Sequence, residues 1–399
     1  MAAAPPSDLL VIGAGLAGIS AATAAARQGF SVTLVSVHDR HPPDFRGEKL
    51  GEEQMATLDR LGLGEAARRQ MTAFGGVWSH RFGRLVATSS AREYSSDYAD
   101  LVNALAAAMP REIARITGRV SAIATGPELQ GVTLSDGRQF AGRLLVVATG
   151  LSDAIRRMLG IERVVLSAGH SLSCGYDLEE PPENYPFPSL VWGSDNADPR
   201  LSYLTLFPIG GRMRGNLFVY RGIADAWAQT FRRDPQLAVR TAMPRLEAVF
   251  GAMTIRREVA LRPIDVIETR RLRRDGVVLL GDAFSVVCPI TGMGMAKALN
   301  DADRLANHHL PAWLATTGMG APKLAAFYAD PAKTALDGAA MRASLVGYNL
   351  AVGNGGYWRA RRFVSGTLQR LRDGILTDPG PLPSPALDSP PLAAAKRIG

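Results

Sequence analysis

Apolar positions near the start of the chain change period in a regular way. Leu9–Ile12 is a short, continuous apolar run rich in β-formers, an alanine-rich stretch then reaches Gln28, and Ser31–Val37 forms a second apolar run. This predicts strand, helix, strand, with Gly29 ending the helix. Glu52–Leu61 has helical spacing at Met55, Leu58 and Leu61, closed by Gly62 and Gly64. Tyr98–Met109 repeats the pattern with Leu101, Leu105 and Met109, and Pro110 follows its end. Strands are expected over 119–124, 132–134 and 144–148, the last running into Thr149-Gly150.

Elsewhere the texture is different. Residues 76–94 hold short β-like pieces that suggest a hairpin, and 166–264 is mostly strand and turn, with runs at 189–192, 202–207 and 215–220. Helical stretches near 222–232 and 235–250 would cover that sheet. The strand–helix pattern resumes at 277. The fold class is therefore α/β (mixed α+β): a Rossmann-like domain from discontinuous segments (1–75, 95–165, 265–345), with an inserted β-sheet domain (76–94, 166–264). Residues 346–375 form a C-terminal helical segment, and the Pro-rich 376–399 reads as a flexible tail.

Two segments carry chemistry. Gly13-Ala14-Gly15-Leu16-Ala17-Gly18 lies between the first strand and its helix, where a G-x-G-x-x-G run marks a dinucleotide site. Gly13 makes the turn, Gly15 lets the backbone approach a pyrophosphate, and Gly18 lets the helix pack closely. Counting along this fingerprint puts Ser36 where a carboxylate normally clamps the ribose; serine accepts that hydrogen bond more weakly. In the second segment, 277–301, an apolar strand meets Gly281-Asp282, and Pro289-x-Thr-Gly292-x-Gly294 then opens a helix. This suits a flavin: Asp282 can accept from ribityl hydroxyls, and the helix aims its positive end at charge developing on the ring.

Bulk properties narrow the classes. The chain has 399 residues, 47% hydrophobic and 21% charged, which fits a globular protein with a large core. Its net charge of +8 comes from scattered arginines without interleaved aromatics, which argues against nucleic acid. The two cysteines, Cys174 and Cys288, suggest neither a disulfide framework nor a metal site. Leu9–Ala26 lacks charge, but the glycines inside it argue for a buried strand and helix rather than a membrane span. A cytoplasmic monomer or small homo-oligomer is expected.

Four ordered blocks resemble the group A, aromatic-hydroxylase class of FAD-dependent monooxygenases, which share the para-hydroxybenzoate hydroxylase fold. They are the glycine fingerprint, residues 45–50 with 58–63, VVATGLSDAIRRMLGI at 146–161, and the Gly281-Asp282 block through Pro289, Gly292, Gly294 and Asp301. The resemblance implies FAD as cofactor, NAD(P)H as the ultimate electron donor, and transfer of one oxygen atom from O2 through a flavin hydroperoxide. It also implies nucleotide contacts from Arg46 and the backbone near Val120. Gly281, Pro289 and Met295 join Asp282, Gly292 and Gly294 on the flavin side. The implied reaction is hydroxylation or epoxidation of an apolar or aromatic small molecule.

The chain departs from the family pattern at several places. Ser36 replaces an acidic residue, Tyr98 stands where many members have an arginine, and Thr149 takes the place of an aspartate associated with FAD and NAD(P)H use. Members commonly read Gly-Asp-Ala-Ala-His-Pro, where this chain reads Gly281-Asp282-Ala283-Phe284-Ser285-Val286. The change at Thr149 weakens the expectation of direct reduction by a nicotinamide and leaves two routes for the electrons, direct or through a separate reductase. No catalytic side chain is identifiable from the sequence. Competing readings are a reductase or dehydrogenase of the geranylgeranyl-reductase type and a non-catalytic flavin-binding protein; a halogenase is disfavoured because Trp-x-Trp-x-Ile-Pro is absent.

Overall fold

A computed structural model describes residues 5–193 and 200–372. Five strands, Ala114–Thr117, Val32–Ser36, Ser7–Ile12, Gln139–Val147 and Val277–Leu279, lie parallel in that order. Leu9–Ile12 and Leu144–Val147 are continuous apolar, buried runs because both faces of this part of the sheet are covered. The first half of Gln139–Val147 also pairs with the antiparallel hairpin Val120–Ala124 and Gln130–Leu134. On one face, helix Leu16–Arg27 is buried from Leu16 to Ala26. Its alanines allow close packing on the sheet and on helix Gly294–Asp303 through Leu299 and Ala302.

A second sheet of nine strands runs in the order Ser285–Val286, Ile255–Arg270, Glu162–Leu178, Arg212–Val219, Leu201–Ile209, Leu190–Gly193, Thr72–Arg81, Arg84–Asp97, Gly47–Gly51. It reaches past the expected 76–94 and 166–264. Gly47–Gly51, expected in the nucleotide domain, pairs with Glu93–Asp97 at one edge, and Ser285–Val286 pairs with Ile267–Glu268 at the other. Edge strands recruit whatever extended backbone lies beside them, since unpaired N–H and C=O groups need partners.

Helices Ala226–Arg233, Pro235–Ala242 and Pro244–Phe250 are separate elements, with the first two packed on the second sheet. The expected single helix over 235–250 breaks at Met243, because Pro244 has no N–H and excludes α conformation before it. The C-terminal segment also begins earlier than expected, as helix Pro331–Val352, followed by Gly356–Arg372. The Pro-rich tail, 376–399, lies outside the described residues. Among the described residues no helix is long and apolar enough to cross a membrane.

Candidate functional site

The carboxyl ends of the parallel strands form one rim, the usual place for a nucleotide in such sheets. Gly13, Ser36, Thr149 and Gly281 stand at or just beyond four of those ends. They line a cavity of about 590 Å3 together with Gly15, Arg46, Val120, Asp282, Gly294 and Met295. Gly18 stands behind the lining and keeps it closed up, since a Cβ there would lie 1.9 Å from the Gly13 oxygen. Gly13 has φ +110, and its Cβ would lie 2.3 Å from the Ala148 oxygen. Only glycine satisfies both demands.

A second cavity of about 650 Å3 lies under the second sheet, bounded by Phe45, Tyr203, Phe207 and Phe218 and by the turn carrying Pro289 and Gly292. The two cavities share Arg46, Leu151, Asp282, Gly294 and Met295. A long two-ended group can therefore run from the glycine cradle to the edge of an aromatic chamber. Gly292 adopts φ +67, and neither Gly292 nor Gly294 has a heavy atom within 4 Å of where a Cβ would stand. Open space beside the first turn of helix Gly294–Asp303 suits a flat ring against that helix end. The residues present fit FAD.

Charge around the junction is arranged by burial. The Asp282 carboxyl is pushed up from its ordinary range by burial, while Arg46, Lys297 and Arg156 pull it back down. Burial also works against the charge of Arg46, yet Glu48, Tyr98 and Asp282 hold its guanidinium above the usual value. Arg46 is ion-paired to Glu48 and lies 4.2 Å from the Tyr98 ring centre. Tyr98 accepts a hydrogen bond at 3.3 Å from the N–H of Leu16, the first residue of the helix after the cradle. It thus touches the fingerprint directly. The Ser36 hydroxyl donates to His38 O at 2.8 Å and accepts the His38 N–H at 3.3 Å, so much of its capacity for a ribose is already used.

Behind the Gly-Asp turn lies a chain of buried charges. The Gly281 N–H donates to Asp301 at 2.8 Å, Asp301 pairs with Lys333 at 2.7 Å, and Asp337 bridges Lys333 (3.0 Å) and Lys297 (3.1 Å). Lys297 also donates to Ser285 O at 3.2 Å. Arg156, fully buried, donates to Ala283 O at 3.2 Å. Sequence reasoning named Asp301 only as part of a spacing and missed Lys297, Lys333, Asp337 and Arg156. A signal existed, since Lys297/Asp301 and Lys333/Asp337 are both four residues apart on helices. Nothing local says that the two pairs face each other.

Several buried aromatic, thiol and imidazole side chains fall outside the cavities. Trp192 is fully buried and stacks on His80 at 5.3 Å, and Tyr220 packs with Val266 and Cys288. Cys288 is buried, with its thiol 3.3 Å from Ser171 Oγ, and burial raises it above its usual range. The buried His170, stacked on Tyr348 at 4.5 Å, is held neutral by burial, which lowers it to about 4. These are packing residues.

Residues 7–334 match the family model described as FAD binding domain. The chain is 23% identical over 333 residues to 3-demethoxyubiquinol 3-hydroxylase of Escherichia coli strain K12, covering 75% of this chain and 78% of that protein. Its fold is similar to p-nitrophenol 4-monooxygenase PnpA of Pseudomonas putida (TM-score 0.71, 14% identity, 93% and 95% of the two chains). It is also similar to HpxO of Klebsiella pneumoniae complexed with FAD and uric acid (TM-score 0.69, 20% identity, 92% and 95%). With more than half its length matched, and a cradle and junction that fit the cofactor, the chain belongs to the FAD-binding-domain family of FAD-dependent hydroxylases and monooxygenases, as a divergent member.

Proposed function

We propose that the protein inserts one atom of O2 into an apolar or aromatic small molecule, in the cytoplasm, using flavin reduced by a separate reductase with NADH or NADPH as ultimate donor. The observation that carries this reading is the meeting of a nucleotide-shaped cavity and an aromatic-walled cavity at Arg46, Leu151, Asp282, Gly294 and Met295. FAD, when bound, supplies the activation of dioxygen. The protein's part is to bind, orient and exclude water. Gly13, Gly15 and the N–H groups opening helix Leu16–Arg27 hold the pyrophosphate, with Gly18 letting that helix sit close and Arg46 adding positive charge. The backbone at Val120 and the Ser36 strand end flank the adenosine. Asp282 accepts ribityl hydroxyls, and Pro289 and Gly292 shape the turn lying against the ring. The first turn of the Gly294 helix would stabilise negative charge developing on a ring held there. Phe45, Tyr203, Phe207 and Phe218 keep the reacting face dry.

Thr149 supports the external electron supply, because a neutral hydroxyl stands where the family resemblance expects an aspartate linked to nicotinamide use. Anaerobic mixing of the FAD-loaded protein with NADH or NADPH should leave the flavin oxidised, and adding an unrelated flavin reductase should bleach it. Turnover under labelled dioxygen should place one labelled atom in the product. Direct bleaching by nicotinamide at a turnover-competent rate sinks the reductase requirement; product formed without dioxygen sinks the monooxygenase reading.

A further inference from the structure

The aromatic-walled cavity is also crossed by charge, and that charge is balanced. Its described lining holds Arg46, Lys49 and Arg262 as cations and Glu48, Glu93 and Asp282 as carboxylates. Each cation already has a partner: Arg46 pairs with Glu48, Lys49 with Glu93 at 2.8 Å, and Arg262 with Asp44. Lys49 and Glu93 are both mostly buried, with side chains 22% and 24% exposed. A carboxylate entering this space loses hydration and meets no uncommitted cation among the described residues, while Glu48, Glu93 and Asp282 repel it. An ammonium group is repelled by Arg46, Lys49 and Arg262 and finds Glu48 and Glu93 already paired; the one carboxylate without an ion pair among the described lining, Asp282, is the one that would hold the ribityl chain. Thr205 Oγ1 donates to Asn216 O at 3.5 Å and Asn216 Nδ2 to Gly47 O at 3.1 Å, which leaves their side-chain oxygens as neutral acceptors for a hydroxyl or amide.

We propose that this site, read as a monooxygenase site, selects an uncharged aromatic substrate, and that the Lys49–Glu93 pair is its specificity determinant. Glu93 sits on strand Arg84–Asp97 opposite Gly51, which sets it against Lys49 across the strand pair. Holding Lys49 in an ion pair withdraws the cation that would otherwise anchor an acidic substrate.

The test uses full-length protein, titrated first with FAD, and calorimetric binding of three probes of one shape: 4-phenylphenol, biphenyl-4-carboxylate and 4-phenylbenzylamine. The phenol should bind at least about tenfold more tightly than either charged probe, one desolvated and unpaired charge being worth that or more. Glu93→Gln should raise the carboxylate's affinity relative to the phenol at least about tenfold by freeing Lys49, and Lys49→Met should do the same for the ammonium probe by freeing Glu93. The proposal is overturned if the carboxylate binds the native protein as tightly as the phenol. It is equally overturned if both variants move the two charged probes in the same direction, or if the phenol fails to bind up to its solubility limit. Failure to take up FAD defeats the cofactor assignment alone, since the probe ratios are then read on the apoprotein. Probes that bind without ever being oxygenated count against the monooxygenase reading and leave the charge preference standing.

Discussion

Gly13 carries two independent demands, a left-handed backbone at φ +110 and an approach to the Ala148 oxygen that no Cβ could make. Gly13→Ala should therefore cost about 1–3 kcal/mol of stability. It should also weaken FAD binding at least tenfold, as read by flavin fluorescence titration beside a urea melt. Wild-type affinity in that variant would mean that the cradle lies elsewhere. At this scale the fingerprint was legible because its glycines answer to the backbone of their own turn. Tyr98 was visible only as a departure from the family pattern. Its role depends on Leu16, which is 82 residues away in sequence, and on the Arg46 guanidinium above its ring. Ser36 could be placed by counting, but the loss of its hydroxyl to His38 is a property of the folded turn.

Helix Pro331–Val352 shows how an element is fastened at one end. Asp330 accepts from the N–H groups of Ala332 and Lys333 at 3.0 and 3.1 Å and pairs with Arg304 at 2.7 Å and His309 at 3.0 Å. Burial opposes its charge, yet these partners hold the carboxyl down at about 2, from an ordinary 3.8. A depressed carboxyl stabilises the fold above its unfolded value and loses that contribution as pH falls through the folded one. The stability advantage of the native protein over Asp330→Asn, which keeps a capping oxygen, should shrink as pH falls between about 4 and 2. Paired urea melts across that range check it, and an advantage that grows on acidification would refute it. Most elements near both ends of the FAD site were legible from period and punctuation. The long pairing of Glu162–Leu178 with Ile255–Arg270 was not, because its register shifts between Val165 and Ser167, Ser167 and Ser171, and Tyr176 and Leu178. Bulged strands lose the strict alternation from which a strand is read.

In the whole molecule, the proposed flavin site is the seam between two sheets. The glycine cradle belongs to the parallel sheet, while Phe45, Tyr203, Phe207 and Phe218 stand under the nine-stranded one. Bound FAD would touch both, so its binding energy should stabilise the two sheets together. At a hundredfold excess over its Kd, FAD should add about 2.7 kcal/mol and raise one cooperative melting transition, followed by calorimetry against FAD concentration. Two transitions of which only one responds would show that the seam does not couple the sheets.

Sequence alone pointed to the family and to FAD through the resemblance of four ordered blocks, and showed the alternation of strand and helix with a β-rich stretch, because that alternation rests on short-range sterics: tight turns, helix ends, and runs of apolar residues with one period. Only tertiary structure decided which aromatics face the cavity. Tyr203, Phe207 and Phe218 line it, whereas Trp192 is fully buried in the core of the second sheet. A strand offers two faces of equal standing until something packs on one of them. The same holds for charge. Lys297 meets Asp337, and Glu93 meets Lys49, across separations that no local pattern records. Ion pairs buried between elements exist only once packing has removed the water that would have served either partner alone.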